Sequence, residues 1–208
     1  MLDNLFLNRY IHYLLKKPVQ EEMTPSDFQN IKRLVLNKFN IGDVTIVSSI
    51  SVLEKFPHLE SLSIEQLLID DAMVEWLNQQ KFLQALEMGH CKKYTTHQIA
   101  TPINSLFLNN MTPDTIHMFT HDNGLQQLTL NKIEGVDMQE IIKFANIRDL
   151  KLFSCKVRNT LYINQLENLN RLTIEGTTFD NENSLGYLKD EVMVTQKTFH
   201  TIDNYEIE

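Results

Sequence analysis

The 208-residue sequence predicts an α/β solenoid, with a curved parallel β-sheet on a concave face, short helices or 3₁₀ turns on a convex face, and a helical N-terminal cap. Three observations carry this. An eleven-residue frame with aliphatic first, fourth and sixth positions returns seven times along the chain. The stretches between frames open on helix-capping residues. No Gly/Ser-rich or Pro-rich linker divides the chain, so one structural domain is expected: residues 1–30 as cap, 31–179 as seven repeats, 180–208 as an irregular last rung or C-terminal cap.

In chain order the frames are IKRLVLNKFNI from Ile31, LESLSIEQLLI from Leu59, LQALEMGHCKK from Leu83, INSLFLNNMTP from Ile103, LQQLTLNKIEG from Leu125, IRDLKLFSCKV from Ile147 and LNRLTIEGTTF from Leu169. Their starts lie 28, 24, 20, 22, 22 and 22 residues apart. At positions one, four, six and nine, 27 of the 28 residues are apolar, Thr177 being the exception, where a 42% hydrophobic chain would place about 12. The x-L-x-L core of each frame reads as a short strand, its leucines inward and their neighbours outward. One such coil cannot bury its apolar side alone; stacked coils share a continuous core.

The return segments carry helix signals. DDAMVEWLNQQ (70–80) opens on Asp and spaces its apolar residues by three or four. TPDTIHMFTH (112–121) has Thr-Pro at its start, and VDMQEIIKFAN (136–146) has Asp137 as its expected N-cap. At the N-terminus, Leu7, Ile11, Leu14 and Leu15 form one stripe of a helix over residues 2–16, a lid for the first coil. Beyond Phe179 the frame fails. DNENS (180–184) reads as a loop, and F-x-x-I at 199–202 is followed by Asn204 where an apolar residue belongs.

The L-x-x-L-x-L-x-x-N/C-x-L frame resembles that of leucine-rich repeat proteins over roughly residues 31–179. The ninth position is never Asn here; it holds Phe39, Leu67, Cys91, Met111, Ile133, Cys155 and Thr177. In that family the Asn builds a hydrogen-bonded ladder to the turn backbone, so a more apolar, less regular turn is expected. The segment KKPVQEEMTPSDFQNIKRLVL (16–36) also resembles the start of bacterial internalin-type repeat domains, where a helical cap and a Thr-x-x-Asp turn lead into the first rung. Thr24, Asp27, Phe28 and Ile31 match it, and the 22-residue intervals agree.

The net charge of −8 repels nucleic acid and anionic membrane, and no dense Lys/Arg cluster offsets it. No apolar run is long enough to span a bilayer. The opening MLDNLFLNRYIHYLL lacks a basic n-region and reads as an amphipathic helix, which makes a cytoplasmic location the expectation. No P-loop, G-x-S-x-G or dinucleotide fingerprint occurs, and there are only six glycines. No catalytic residue and no cofactor are assigned.

Cys91 and Cys155 both stand at position nine, three rungs and about 14 Å apart, too far for a disulfide; both read as core residues. Asp114, His117 and His121 are the sharpest metal-ligand candidate, spaced to share a helical face but lacking a further ligand; the adjacent pair His90–Cys91 is weaker still. The outward residues are the third, fifth and seventh of each frame. They are mostly small and polar, with two aromatics, Phe107 and Phe153. An aromatic on a polar sheet is the composition of a binding hot spot. Phe107, Phe153, Lys151, Asp149, Asn131 and Glu87 are therefore the candidate contacts for a protein or peptide partner on the concave face. The alternatives are a metal-binding protein or metal-dependent enzyme using Asp114, His117 and His121, and a structural protein that self-associates.

Overall fold

The computed structural model describes residues 5–37, 50–121 and 124–197. Helices α1 (Leu5–Leu15) and α2 (Pro25–Gln29) lead into β1 (Arg33–Leu36). There follow β2 (Ser61–Glu65), β3 (Leu68–Ile69), α3 (Asp71–Gln79), β4 (Ala85–Gly89), β5 (Lys92–Lys93), β6 (Ser105–Asn109), β7 (Gln127–Asn131), β8 (Glu134–Asp137) and α4 (Met138–Ile141). The chain closes with β9 (Asp149–Phe153), β10 (Lys156–Arg158), β11 (Arg171–Glu175), β12 (Thr178–Phe179) and β13 (Met193–Lys197). Turns of 3₁₀ helix at Ile50–Lys55, Pro113–Met118, Thr160–Gln165 and Glu182–Tyr187 complete the return segments.

Among the described residues, eight strands form one parallel sheet in the order β1-β2-β4-β6-β7-β9-β11-β13. The frame sets its register. Leu128, Leu150 and Leu172 stand abreast, and the row continues through Leu106, Leu86, Leu62 and Leu34. A second row runs Leu36, Ile64, Met88, Leu108, Leu130, Leu152 and Ile174. Both rows are buried. Each such side chain contributes about 1.5–3 kcal/mol of transfer free energy, which is what locks the register.

Expected and observed turns differ. Position eight of every described frame after the first is left-handed: Gln66, His90, Asn110, Lys132, Ser154 and Gly176 have φ between 49° and 61°. That conformation turns each N–H toward the next coil. Gln66 donates to the Gly89 carbonyl, Lys132 to that of Phe153 and Ser154 to that of Glu175. The turn is therefore regular, held by backbone rather than by an Asn side chain. Position nine adds a weaker ladder. The Cys155 thiol reaches the Leu130 carbonyl at 3.4 Å, and the Thr177 hydroxyl donates to that of Leu152 at 3.0 Å. Thr177 also accepts from the Cys155 N–H at 3.1 Å. Phe39 lies outside the described residues.

After the turn the chain pairs briefly again, as the β12-β10-β8 ribbon and the β3-β5 pair. The convex wall follows from its caps. The Asp70 carboxylate accepts from the Met73 N–H at 2.9 Å and starts α3, whose Met73, Val74, Trp76 and Leu77 are buried. Asp137 accepts from the Gln139 N–H at 3.0 Å and starts α4. The segment at Pro113–Met118 is 3₁₀, and Phe56, Phe119 and Phe144 fill the core behind the sheet.

At the N-terminal end α1 packs Leu7 and Ile11 onto the first coil, with Leu14 and Leu15 half-buried beside them. The Tyr10 hydroxyl accepts from the Val35 N–H at 3.3 Å, so the helix also meets β1, the first strand of the described sheet. At the other end β13 stands in register beside β11, with Val194 next to Leu172 and Gln196 next to Ile174. This is the frame one period on, with Glu191 at position one. All five residues of β13 are exposed. The F-x-x-I stretch at 199–202 and Asn204 lie outside the described residues.

Candidate functional site

The concave face is the outward side of the eight-stranded sheet, and alternation alone builds it. Position three carries Ser61, Ala85, Ser105, Gln127, Asp149 and Arg171; position five carries Ser63, Glu87, Phe107, Thr129, Lys151 and Thr173; position seven carries Glu65, Gly89, Asn109, Asn131, Phe153 and Glu175. These are three columns running across the strands, at the spacing of about 4.8 Å that parallel pairing imposes.

The six candidate residues fall into two groups. On β9, Asp149, Lys151 and Phe153 share one outward row, and Asn131 stands directly beside Phe153. Glu175 flanks the ring on its other side. Phe107 lies two strands away and two positions nearer the strand's start, with Glu87 directly beside it. Both phenylalanines are half-buried between their lateral neighbours. Neither ring stacks on another among the described residues.

Asp149 differs from its neighbours in role. Its carboxylate lies 3.3 Å from the Arg171 guanidinium and 3.7 Å from the Lys151 ammonium, and its side chain is only 13% exposed. The second oxygen, Oδ1, is buried with no hydrogen-bond partner. Asp149 thus organises two cations rather than offering itself to solvent. Asn131 donates its amide to Asn109 Oδ1 at 3.0 Å, which orders position seven next to Phe153. Arg171, Asn109, Glu65 and Gly89 were not singled out from the sequence. Their importance depends on which side chains lean on which, and alternation does not specify that.

The metal candidates separate. Asp114 pairs with Lys93 at 3.3 Å, and the Thr112 hydroxyl and Lys93 together hold its carboxyl below the ordinary aspartate range. His117 Nε2 faces Glu140 at 3.3 Å, while the His121 ring packs edge-on against Phe144, with centroids 5.3 Å apart. Each has a different partner, and no group of three His, Cys, Asp or Glu among the described residues could hold a metal ion. The cysteines are both free, Cys155 buried and Cys91 partly so. Burial pushes both thiols above their ordinary value, which disfavours the reactive thiolate.

The architecture matches solved structures over nearly its whole length. Internalin C2 of Listeria monocytogenes aligns with 96% of this chain and 87% of its own, at a TM-score of 0.59 and 16% identity. Internalin F of the same organism aligns with 94% of this chain and 70% of its own, at a TM-score of 0.52 and 16% identity. The fold is a leucine-rich repeat solenoid of the internalin type. No protein-family model and no curated protein sequence matches the chain. The likeness therefore lies in backbone and frame, and at this identity it speaks for the solenoid alone. No helix among the described residues is long and apolar enough to cross a membrane.

Proposed function

We propose that this solenoid is a non-catalytic interaction module that binds a protein or peptide on its concave sheet. The observation that carries the reading is a continuous polar sheet face with two half-buried, unstacked phenylalanines, Phe107 and Phe153, set among groups that can hydrogen-bond. A strand-built surface of this kind is rigid before a partner arrives, so little ordering entropy opposes binding. An aromatic ring surrounded by polar side chains loses water when covered, and the surround gives orientation. Phe153 is the assigned centre, with Lys151, Asn131 and the Asp149-Arg171 pair as its rim; Phe107 and Glu87 form a second contact. The setting of the module in this proposal is the cytoplasm.

The test is affinity capture from a native cell extract by the immobilised chain, paired with a Phe153→Glu variant of unchanged thermal midpoint. The expected result is a partner retained by the parent and lost by the variant. A partner held with full affinity by the variant removes Phe153 from the contact.

A further inference from the structure

We propose that the partner presents a cationic side chain, an arginine or lysine on an extended segment, received above β4 between Glu65, Glu87 and the ring of Phe107. The inference rests on the interaction reading above and gives the partner its chemistry.

The charges of the concave face are unevenly paired. On β9 and β11, Asp149 is shared by Lys151 and Arg171, and Glu175 stands beside Lys197 of β13 in register. On β2 and β4 the two carboxylates Glu65 and Glu87 make no ion pair and no hydrogen bond among the described residues. Gly89 leaves the surface beside them bare. A Cβ built on Gly89 would lie 3.5 Å from Glu65 Cγ and 3.7 Å from the Asn109 amide nitrogen. The stem of Glu65 and the Asn109 amide thus lean over the bare backbone of β4 from either side. Glu65 stands beside Gly89 in register, and Glu87, two residues earlier on the same face of β4, is its diagonal neighbour. The Phe107 ring stands directly beside Glu87 on β6.

Two unpaired carboxylates next to an aromatic ring discriminate between partner chemistries. An acidic segment is repelled. An apolar segment covering the ring would strip water from both carboxylates without replacing it, a cost that cancels the gain from burying the ring. A guanidinium or ammonium compensates both carboxylates and rests on the ring's negative face. The chain's net charge of −8 speeds the encounter with such a partner.

The experiment selects twelve-residue peptides from a displayed random library on the full chain. It then measures the dissociation constants of the synthetic peptides by fluorescence anisotropy at fixed ionic strength. The expected result is enrichment of Arg or Lys, with affinity falling by about tenfold or more in the Glu65→Gln/Glu87→Gln variant. Gly89→Lys, which places the chain's own ammonium in the gap, should give a similar loss with an unchanged thermal midpoint. The charge-matched control Glu134→Gln/Glu167→Gln, away from the concave columns, should change affinity by less than about twofold. Selected peptides without basic enrichment, or full affinity in Glu65→Gln/Glu87→Gln, overturn the inference. If those same peptides still lose affinity to Phe153→Glu, the interaction reading stands and the cationic partner alone is wrong. A library that yields no binder sensitive to any concave substitution overturns both.

Discussion

Lys132 holds a backbone conformation that a lysine pays for: its φ of 53° lies in the left-handed region, where a Cβ crowds the following carbonyl. Six of the described coils adopt that conformation at position eight, and one of them, at Gly176, uses glycine. Lys132→Gly should relieve the crowding. Allowing for glycine's larger loss of chain entropy, the gain is about 0.5–1 kcal/mol, a rise of about 1–4 °C in thermal midpoint. Lys132→Val, β-branched in the same place, should lower it. The next residue along makes the opposite point. Thr177 satisfies two backbone groups at once, the Leu152 carbonyl and the Cys155 N–H. Thr177→Val keeps the shape and deletes both bonds, so urea unfolding should show a loss of about 2 kcal/mol. An unchanged midpoint would mean that water replaces the hydroxyl. Position nine was legible because nearly all its occupants are apolar. Position eight was not, because glutamine, histidine, asparagine, lysine and serine all occupy it. What the coils share there is a backbone angle, which no residue type encodes except glycine.

At the scale of elements, the N-terminal cap shows a sequence motif turned into electrostatics. The Asp27 carboxylate accepts from the Thr24 N–H at 2.7 Å and from the Thr24 hydroxyl at 2.9 Å, and Lys17 lies 3.0 Å away. The Thr24 N–H and the Lys17 ammonium pull its pKa down to about 2 from 3.8. The native state therefore holds the carboxylate where the unfolded chain would already take up a proton. The stabilisation is complete above about pH 4 and disappears as the pH falls toward 2. Asp27→Asn should be less stable than the parent at neutral pH and converge on it at the acid end of that window; parallel acid limbs in the two titrations would contradict this. Thr24, Asp27 and Phe28 were readable from their spacing. The strand β13 was not, since Glu191 and Gln196 occupy frame positions where every earlier coil is aliphatic. It pairs because β11 offers a complete row of backbone groups, and pairing with an existing edge does not require the aliphatic signature.

Over the whole molecule, contacts run between neighbouring coils, and that makes stability local. A solenoid of this kind behaves as a chain of nearest-neighbour interfaces, so a defect is felt according to where it falls. The concave columns were legible for the same reason: once the frame fixes register, every outward residue has a known neighbour on the adjacent strand. The lean of Glu65 over Gly89 and the shielding of Asp149 by Arg171 were not legible, because they depend on rotamers chosen after the coils stack. Leu128 sits in β7 with three described coils on the β9 side, while Leu172 sits in β11 next to the last described strand. Both are fully buried, and truncation to alanine costs about 2–5 kcal/mol at either site. Native-state hydrogen exchange should separate them. Leu172→Ala should lower amide protection in β9, β11 and β13 and leave β2 and β4 unchanged. Leu128→Ala should lower protection on both sides of β7, because it weakens the interface through which the two halves support each other. If Leu172→Ala depressed protection equally from β2 to β13, the sheet would unfold as one unit, and nearest-neighbour additivity would not describe it.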